Sequence, residues 1–146
     1  MKLISWNVCG IQSRYNDGTL NKIFDLDPDI FCLQEVHQKP RNLNREVLCK
    51  EGYNGFFYPS SKYERACGVA TYSKYDPIGL KNGFNNLKFD VEGRIQRIEF
   101  EEFNLFNVYF PTGSGNEKFK DKSEFYDLFT KYVNKSKKTT GNLWGL

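Results

Sequence analysis

Short apolar runs separated by polar segments open the chain and predict a strand, a helix and a second strand. Residues 2–8 and 29–33 are apolar runs typical of buried strands, whereas residues 19–26 carry apolar side chains at helical spacing. Asp27-Pro28 ends this helix, because proline disfavours helical backbone in the residue before it and donates no hydrogen bond. The second strand is therefore expected to begin immediately afterwards.

The rest of the chain predicts more strands and a long helix. Residues 43–50 predict a short amphipathic helix closed by Gly52, and residues 117–133 a long amphipathic helix after the loop 112–116. Runs rich in β-branched and aromatic residues predict strands at residues 53–58, 68–73, 94–101 and 103–110. An acidic turn divides the last two and favours a hairpin, and residues 142–146 have the pattern of another strand.

Composition fits one soluble globular domain. The 146 residues are 39% hydrophobic and 27% charged, which excludes a disordered chain, and no apolar stretch is long enough to span a bilayer. The net charge of +3 permits an anionic partner without requiring one. These properties leave nucleic acid and neutral partners almost equally open.

The four cysteines are widely spaced, with no C-x-x-C pair, and His37 is the only histidine, so the sequence spacing gives no zinc motif. Two disulfides are possible by count, but residues 1–5 enter a strand pattern without an apolar signal segment. We therefore expect free thiols and a cytoplasmic location, and the Asn134-Lys135-Ser136 sequon is interpreted as chance.

Asn7 and Glu35 are the first candidates for chemistry, because an amide and a carboxylate each follow a short apolar run. Mg²⁺ typically takes one or two protein carboxylates together with substrate phosphate, so one Glu at a strand end can begin a site. Taken alone, Glu35 is more often a solvated charge and Asn7 a turn residue. The choice between these interpretations depends on the surrounding motifs.

Several motifs occur in an order that resembles the endonuclease/exonuclease/phosphatase superfamily, and most of all its exonuclease III and apurinic/apyrimidinic endonuclease branch. They are Ser5-Trp6-Asn7-Val8-x-Gly10-Ile11, Leu33-Gln34-Glu35, Gly68-Val69-Ala70-x-Tyr72-Ser73-Lys74, Glu92-Gly93-Arg94 and Asn107-Val108-Tyr109-x-Pro111. Each is weak alone, but several in order over residues 1 to about 130 make chance an unlikely explanation.

The resemblance implies an αββα sandwich of the α/β class, with mixed, mostly antiparallel sheets, and phosphodiester hydrolysis in DNA with Mg²⁺, or alternatively Mn²⁺. It implies that Glu35 and Asn7 are metal ligands and that Asn7, Glu35 and Tyr109 are catalytic, Tyr109 donating a hydrogen bond to a phosphate oxygen. The expected partner is DNA with abasic or 3′-blocked ends. Lys131 and Lys135 are candidate phosphate contacts, although cations at a helix C-terminus also suit the helix dipole.

His37 lies two residues from Glu35, but the family has no catalytic histidine at this position, and we expect a surface side chain. Arg94 is expected near the site without an assigned role. Cys9, Gln12 and Thr112 replace residues that are usual in the family, and they weaken the choice of substrate more than that of family.

The chain lacks the family's Gly-Asp-Phe-Asn and Ser-Asp-His motifs. We therefore interpret residues 1–133 as the N-terminal half of the domain and residues 134–146 as a basic tail with an aberrant or truncated end. Half a sandwich would expose sheet, inviting a complementary C-terminal half or self-association. Side chains expected to be exposed are Phe31, Phe57, Phe100, Phe106 and Phe110.

Three hypotheses follow. The first is a metal-dependent DNA repair nuclease of reduced activity, and the second is a non-catalytic or decayed half-domain that only binds. The third is a phosphatase of the same superfamily, which the Glu-Gly-Arg and Asn-x-Tyr-x-Pro contexts disfavour.

Overall fold

The computed structural model describes residues 1–112 and 116–136, which form two sheets and their flanking helices. The strands are β1 (Leu3–Asn7), β2 (Ile30–Gln34), β3 (Asn54–Tyr58), β4 (Val69–Ser73), β5 (Gly79–Asn82), β6 (Ile95–Glu99) and β7 (Asn104–Val108). The helices are α1 (Ile11–Asn16), α2 (Thr19–Phe24), α3 (Arg45–Leu48), α4 (Leu87–Asp90) and α5 (Asn116–Lys135), and a 3₁₀ turn covers Pro40–Asn42. No described helix is both long and apolar enough to cross a membrane.

The predicted strand, helix and strand opening is confirmed, with one addition. β1 and β2 pair in parallel, so their carboxyl ends meet at one edge of the sheet, where Asn7 is paired with Gln34. Helix α1 was not predicted, because only its first residue, Ile11, is buried. Gly52 has a φ of +78°, but α3 ends four residues earlier at Leu48, so Gly52 shapes a later turn.

The first sheet has the order β1-β2-β4-β3 and contains the larger part of the core. β2 and β4 are central, and nearly all of their side chains are buried. Phe24 lies edge-on to both Phe31 and Tyr72, at centroid distances of 5.4 and 5.1 Å. These aromatic contacts fix α2 against the sheet that carries the ends of β1 and β2.

The second sheet has the order β5-β6-β7, and β6 and β7 form the predicted hairpin. Ile98 and Phe100 of this sheet pack with Ile30 and Cys32 of the first sheet. The two sheets therefore face each other within this chain, as the αββα architecture requires. Strand β5 and helix α4 were not predicted, since both are four residues long and mostly exposed.

Asn107 joins the two sheets from near the C-terminal end of β7. Its buried amide nitrogen donates to the carbonyl oxygen of Ala70 at 2.8 Å, to Thr71 Oγ1 at 3.0 Å and to the carbonyl oxygen of Leu33 at 3.3 Å. Its Oδ1 accepts from Gln34 Nε2 at 2.8 Å. Asn107 thereby fixes the end of β7 relative to the ends of β2 and β4.

The long helix α5 covers the outer face of the second sheet. Phe125 is completely buried, with ring contacts to Phe84, Phe89 and Phe110 at 5.0 to 5.7 Å. At the C-terminal end of the helix, Ser136 accepts hydrogen bonds from Arg97 and Asn104. The predicted helix over residues 117–133 is confirmed.

Two of the four edge strands, β1 and β7, face each other across a gap between the sheets. β1 and β7 each end a sheet, and between them lies an open groove of about 290 Å³ lined by Leu3, Leu105, Phe106 and Phe110 among others. The prediction of exposed phenylalanines is wrong for Phe31 and Phe100, which are 0% and 5% exposed. Helix α2 covers Phe31, and Phe100 packs against the first sheet and Phe103. The prediction of exposure holds in part for Phe57, Phe106 and Phe110, which are half-buried.

Three predictions fall wholly or partly on residues outside the described ranges: most of the loop 112–116, most of the tail 134–146, and the strand at residues 142–146. Helix α5 continues to Lys135, two residues beyond the predicted domain boundary at residue 133.

Candidate active site

Glu35 occupies the residue directly after β2, beside Asn7 at the end of β1. Asn7 Nδ2 donates to Glu35 Oε1 at 2.5 Å, and Asn7 Oδ1 accepts from the backbone N–H of Cys9 at 3.2 Å. The Asn7 amide therefore donates to the carboxylate through Nδ2 and accepts from the backbone through Oδ1. This arrangement orients Glu35, while a direct metal contact of Asn7 stays a prediction.

Tyr109 reaches the same carboxylate from the second sheet, because it follows β7 as Glu35 follows β2. Its phenol interacts with Glu35, and each side chain shifts the pKa of the other. Burial, and then this interaction, raise the pKa of Tyr109 to about 12, so the phenol keeps its proton at neutral pH. The structure thus brings together Asn7, Glu35 and Tyr109, the three residues that the sequence selected.

His37 contacts Glu35 as well, through Nε2 at 3.2 Å from Oε2. Its side chain is 21% exposed, so it is a partly buried neighbour of the carboxylate rather than the expected surface histidine. Burial acts to raise the pKa of Glu35, but hydrogen bonds from Asn7, Tyr109 and His37 outweigh it and hold the pKa below its usual value. Glu35 is accordingly ionised at neutral pH.

Arg94 supports Tyr109 from the other side. Its guanidinium lies 4.8 Å from the centroid of the Tyr109 ring, and its Nη1 donates to the Tyr109 carbonyl oxygen at 3.2 Å. Arg94 Nε donates to Glu92 at 2.5 Å, and Glu92 also binds Lys62 at 2.8 Å. The Glu-Gly-Arg motif therefore positions the phenol, a role that the sequence did not reveal.

Gly93 allows this motif to approach the neighbouring loop. Its φ is +63°, and a Cβ at this position would lie 2.7 Å from the carbonyl oxygen of Tyr58 and 2.7 Å from the carbonyl carbon of Pro59. Both the left-handed backbone and the lack of space require glycine here. The motif's glycine thus has a steric reason that is independent of chemistry.

A polar cleft of about 260 Å³ continues from Arg94 towards the start of α5. Lys62, Lys88 and Lys118 line it, together with Glu92 and Asp121. Lys88 is paired with Asp121 at 2.7 Å, and Lys62 with Glu92, so most of this charge is balanced. Lys118 is exposed in the described chain and extends the basic side of the cleft.

The structure does not bring Lys131 and Lys135 to the site. Both are exposed on the last turns of α5, whose end binds Arg97 and Asn104. Arg97 and Asn104 lie nearer the turn of the hairpin, whereas Arg94 and Tyr109 lie at its open end. DNA contact by the two lysines stays a prediction.

The donor set at this edge fits a hard divalent ion. Glu35 provides an ionised carboxylate that is 22% exposed, and Mg²⁺ prefers carboxylate and water oxygens. The hydrogen bonds from Asn7 and His37 fix the carboxylate without enclosing it. The residues present can therefore begin a Mg²⁺ site that solvent or phosphate oxygens would complete.

Two sheets face each other in this fold, and Asn7, Glu35 and Tyr109 meet at their common edge. We compared the sequence with models of known protein families to identify the class of protein that has this arrangement. Residues 4–143 match the Endonuclease/Exonuclease/phosphatase family, and the chain belongs to this family.

The similar proteins are DNA repair nucleases. The chain is 30% identical over 147 residues to a DNA-(apurinic or apyrimidinic site) endonuclease of Dictyostelium discoideum, covering 99% of this chain and 40% of that protein. It is 31% identical over 135 residues to an exodeoxyribonuclease of Bacillus subtilis (strain 168), covering 91% and 52%. A solved AP endonuclease from Archaeoglobus fulgidus superposes with a TM-score of 0.79 at 25% identity, over 94% of this chain and 52% of that one. The chain spans about half the length of the relatives it matches.

These matches confirm the resemblance to the exonuclease III and apurinic/apyrimidinic endonuclease branch, and they confirm the fold class.

Proposed function

We propose that this chain provides one wall of a Mg²⁺-dependent DNA nuclease that hydrolyses phosphodiester bonds at abasic sites or 3′ ends, Mn²⁺ being the alternative ion. The family membership and the nuclease relatives support the reaction class. The observation that carries the proposal is the ionised Glu35, fixed by side chains from both sheets. Asn7 and His37 both hydrogen-bond this carboxylate, and Tyr109 from the second sheet interacts with it.

The chemistry assigns distinct tasks to the three side chains. A bound Mg²⁺ supplies neutralisation of phosphate charge and stabilises the leaving oxygen. Glu35 would hold the ion, and Asn7 keeps the carboxylate oriented towards the open edge. Tyr109, protonated at neutral pH, donates a hydrogen bond that a phosphate oxygen can accept when DNA is bound.

We expect slow hydrolysis by this chain. Residues 1–146 contain no Gly-Asp-Phe-Asn or Ser-Asp-His motif, whose side chains the resemblance assigns to the nucleophile and the phosphate, so this chain alone does not supply those groups. Glu35 would still hold the metal, and Tyr109 would still contact the phosphate.

The four free cysteines support a cytoplasmic location as part of the proposal.

Cleavage of a duplex that carries one abasic site tests the proposal, with Mg²⁺ or with EDTA. We expect cleavage that requires Mg²⁺, that is lost in Glu35→Ala, and that is retained in Glu51→Ala, a control at an exposed carboxylate. Equal cleavage by the wild type and Glu35→Ala would contradict the assignment. Parallel incubation with an inositol phosphate tests the phosphatase hypothesis.

The open groove between β1 and β7 favours a second candidate function, a binding half-domain. The groove is lined largely by apolar side chains, and both flanking strands have one unpaired side among the described residues. A complementary half of the domain, or a second copy of the chain, could pair there. A chain that is a stable monomer by light scattering and shows Mg²⁺-dependent cleavage would count against this candidate.

A further inference from the structure

Cys9, Glu35 and His37 form a cluster of possible metal ligands. One ligand atom of each residue lies within 4.8 Å of the ligand atoms of the other two. Sequence spacing gave no sign of this cluster, because Cys9 is far from the other two along the chain. The contact arises where the loop after β1 meets the loop after β2.

Backbone geometry fixes these loops to each other. The N–H of Gly10 donates to the Glu35 carbonyl oxygen at 2.8 Å, and the N–H of His37 donates to the carbonyl oxygen of Cys67 at 3.0 Å. All three candidate ligands have positive φ angles, of 45°, 56° and 65° for Cys9, Glu35 and His37. Such strained conformations in non-glycine residues concentrate at functional sites, where the surrounding structure holds them in place.

The three ligand atoms are also close to the spacing of a tetrahedral site. Ligand atoms around a tetrahedral zinc ion are about 3.3–3.8 Å apart, since zinc–ligand bonds are about 2.0–2.3 Å. Small side-chain rotations therefore close the cluster around such an ion.

We propose that Cys9, Glu35 and His37 bind a divalent ion of the thiolate- and imidazole-preferring class, with Zn²⁺ as its representative. A thiolate and an imidazole select Zn²⁺ over Mg²⁺, which prefers oxygen ligands. Three protein ligands leave a fourth tetrahedral position for water or a phosphate oxygen. This inference rests on the proposed function in one respect: the site shares Glu35 with the proposed Mg²⁺ site, and its thiolate and imidazole favour Zn²⁺ over Mg²⁺ there.

Titration of the metal-free full chain with Co²⁺ tests the site, because a cobalt–thiolate bond gives a near-ultraviolet charge-transfer band. We expect one Co²⁺ per chain with this band, which Zn²⁺ removes and a large excess of Mg²⁺ leaves in place. Cys9→Ser should abolish the band, and Cys49→Ser, at the other exposed cysteine, should keep it. His37→Ala should weaken binding by at least the roughly 10- to 100-fold that follows from loss of an outer-shell partner.

A saturated sample without the band, or a band of equal strength in Cys9→Ser, would overturn the inference. Circular dichroism of each variant controls for folding. The outcomes separate the two proposals: a cobalt band in a chain without nuclease activity overturns the nuclease alone. Mg²⁺-dependent cleavage without a cobalt band overturns the zinc site alone.

Discussion

Replacing Asn107 with Ala should destabilise the protein strongly, because this side chain joins the two sheets. Two of its donated hydrogen bonds are 3.0 Å or shorter, and it also accepts one from Gln34. Each such bond contributes about 1 kcal/mol, and buried partners left unpaired add to the loss. The summed cost is about 3–4 kcal/mol, a large part of the roughly 5–15 kcal/mol by which domains are stable.

Urea unfolding followed by circular dichroism measures this cost. We expect the midpoint to fall with an unchanged slope, and the melting temperature to fall by roughly 6–16 °C. Asn107→Leu, which retains volume, should recover only the part of the cost due to the cavity. Asn21→Ala on the exposed side of α2 is the control, and its effect should stay within about 0.5 kcal/mol. If Asn107→Ala costs no more than the control, Asn107 does not join the sheets as described.

Three further predictions concern the site and its supports. Gly93→Ala should cost clearly more in thermal unfolding than Gly18→Ala, because both have positive φ but only Gly93 lacks space for a Cβ; equal costs would contradict the steric argument. Tyr109 should titrate near pH 12 in ultraviolet difference spectra, and Glu35→Gln should lower this pKa by removing a charged acceptor; an unchanged pKa would show that burial alone sets it. Because the pKa of Glu35 is lowered, its stabilising effect is complete above the usual value of about 4.3 and is lost as pH falls towards and through the folded value. The difference in unfolding free energy between wild type and Glu35→Gln should shrink in acid, and a constant difference would refute this linkage.

The sequence predicted those elements whose burial leaves a strong pattern. β2 is a nearly continuous apolar run, β4 is rich in β-branched and aromatic residues, and α5 has apolar residues at helical spacing over five turns. It missed β5 and α4, which are short and mostly exposed, so tertiary contacts rather than periodicity specify them. It also missed the burial of Phe31 and Phe100, since the packing of α2 and of the hairpin against the first sheet is a long-range property.

The site was predicted in part for a similar reason. Asn7, Glu35 and Tyr109 stand in short motifs at strand ends, and strand order then brings them together. The contacts of His37 and Cys9 depend on left-handed backbone in two loops, which hydrophobic periodicity does not encode. The roles of Arg94 and Asn107 were hidden because a cation over a ring and a buried amide have no sequence spacing of their own.

Binding of Mn²⁺, measured by the loss of its free-ion paramagnetic resonance signal, tests most directly whether Glu35 is the metal-binding carboxylate of this edge. The wild type and Glu51→Gln should each bind one ion that Mg²⁺ displaces, and Cys9→Ser should retain this site. Glu35→Gln should lose it while keeping a native circular dichroism spectrum. Equal Mn²⁺ binding by Glu35→Gln and the wild type would contradict the metal site at the ends of β1, β2 and β7.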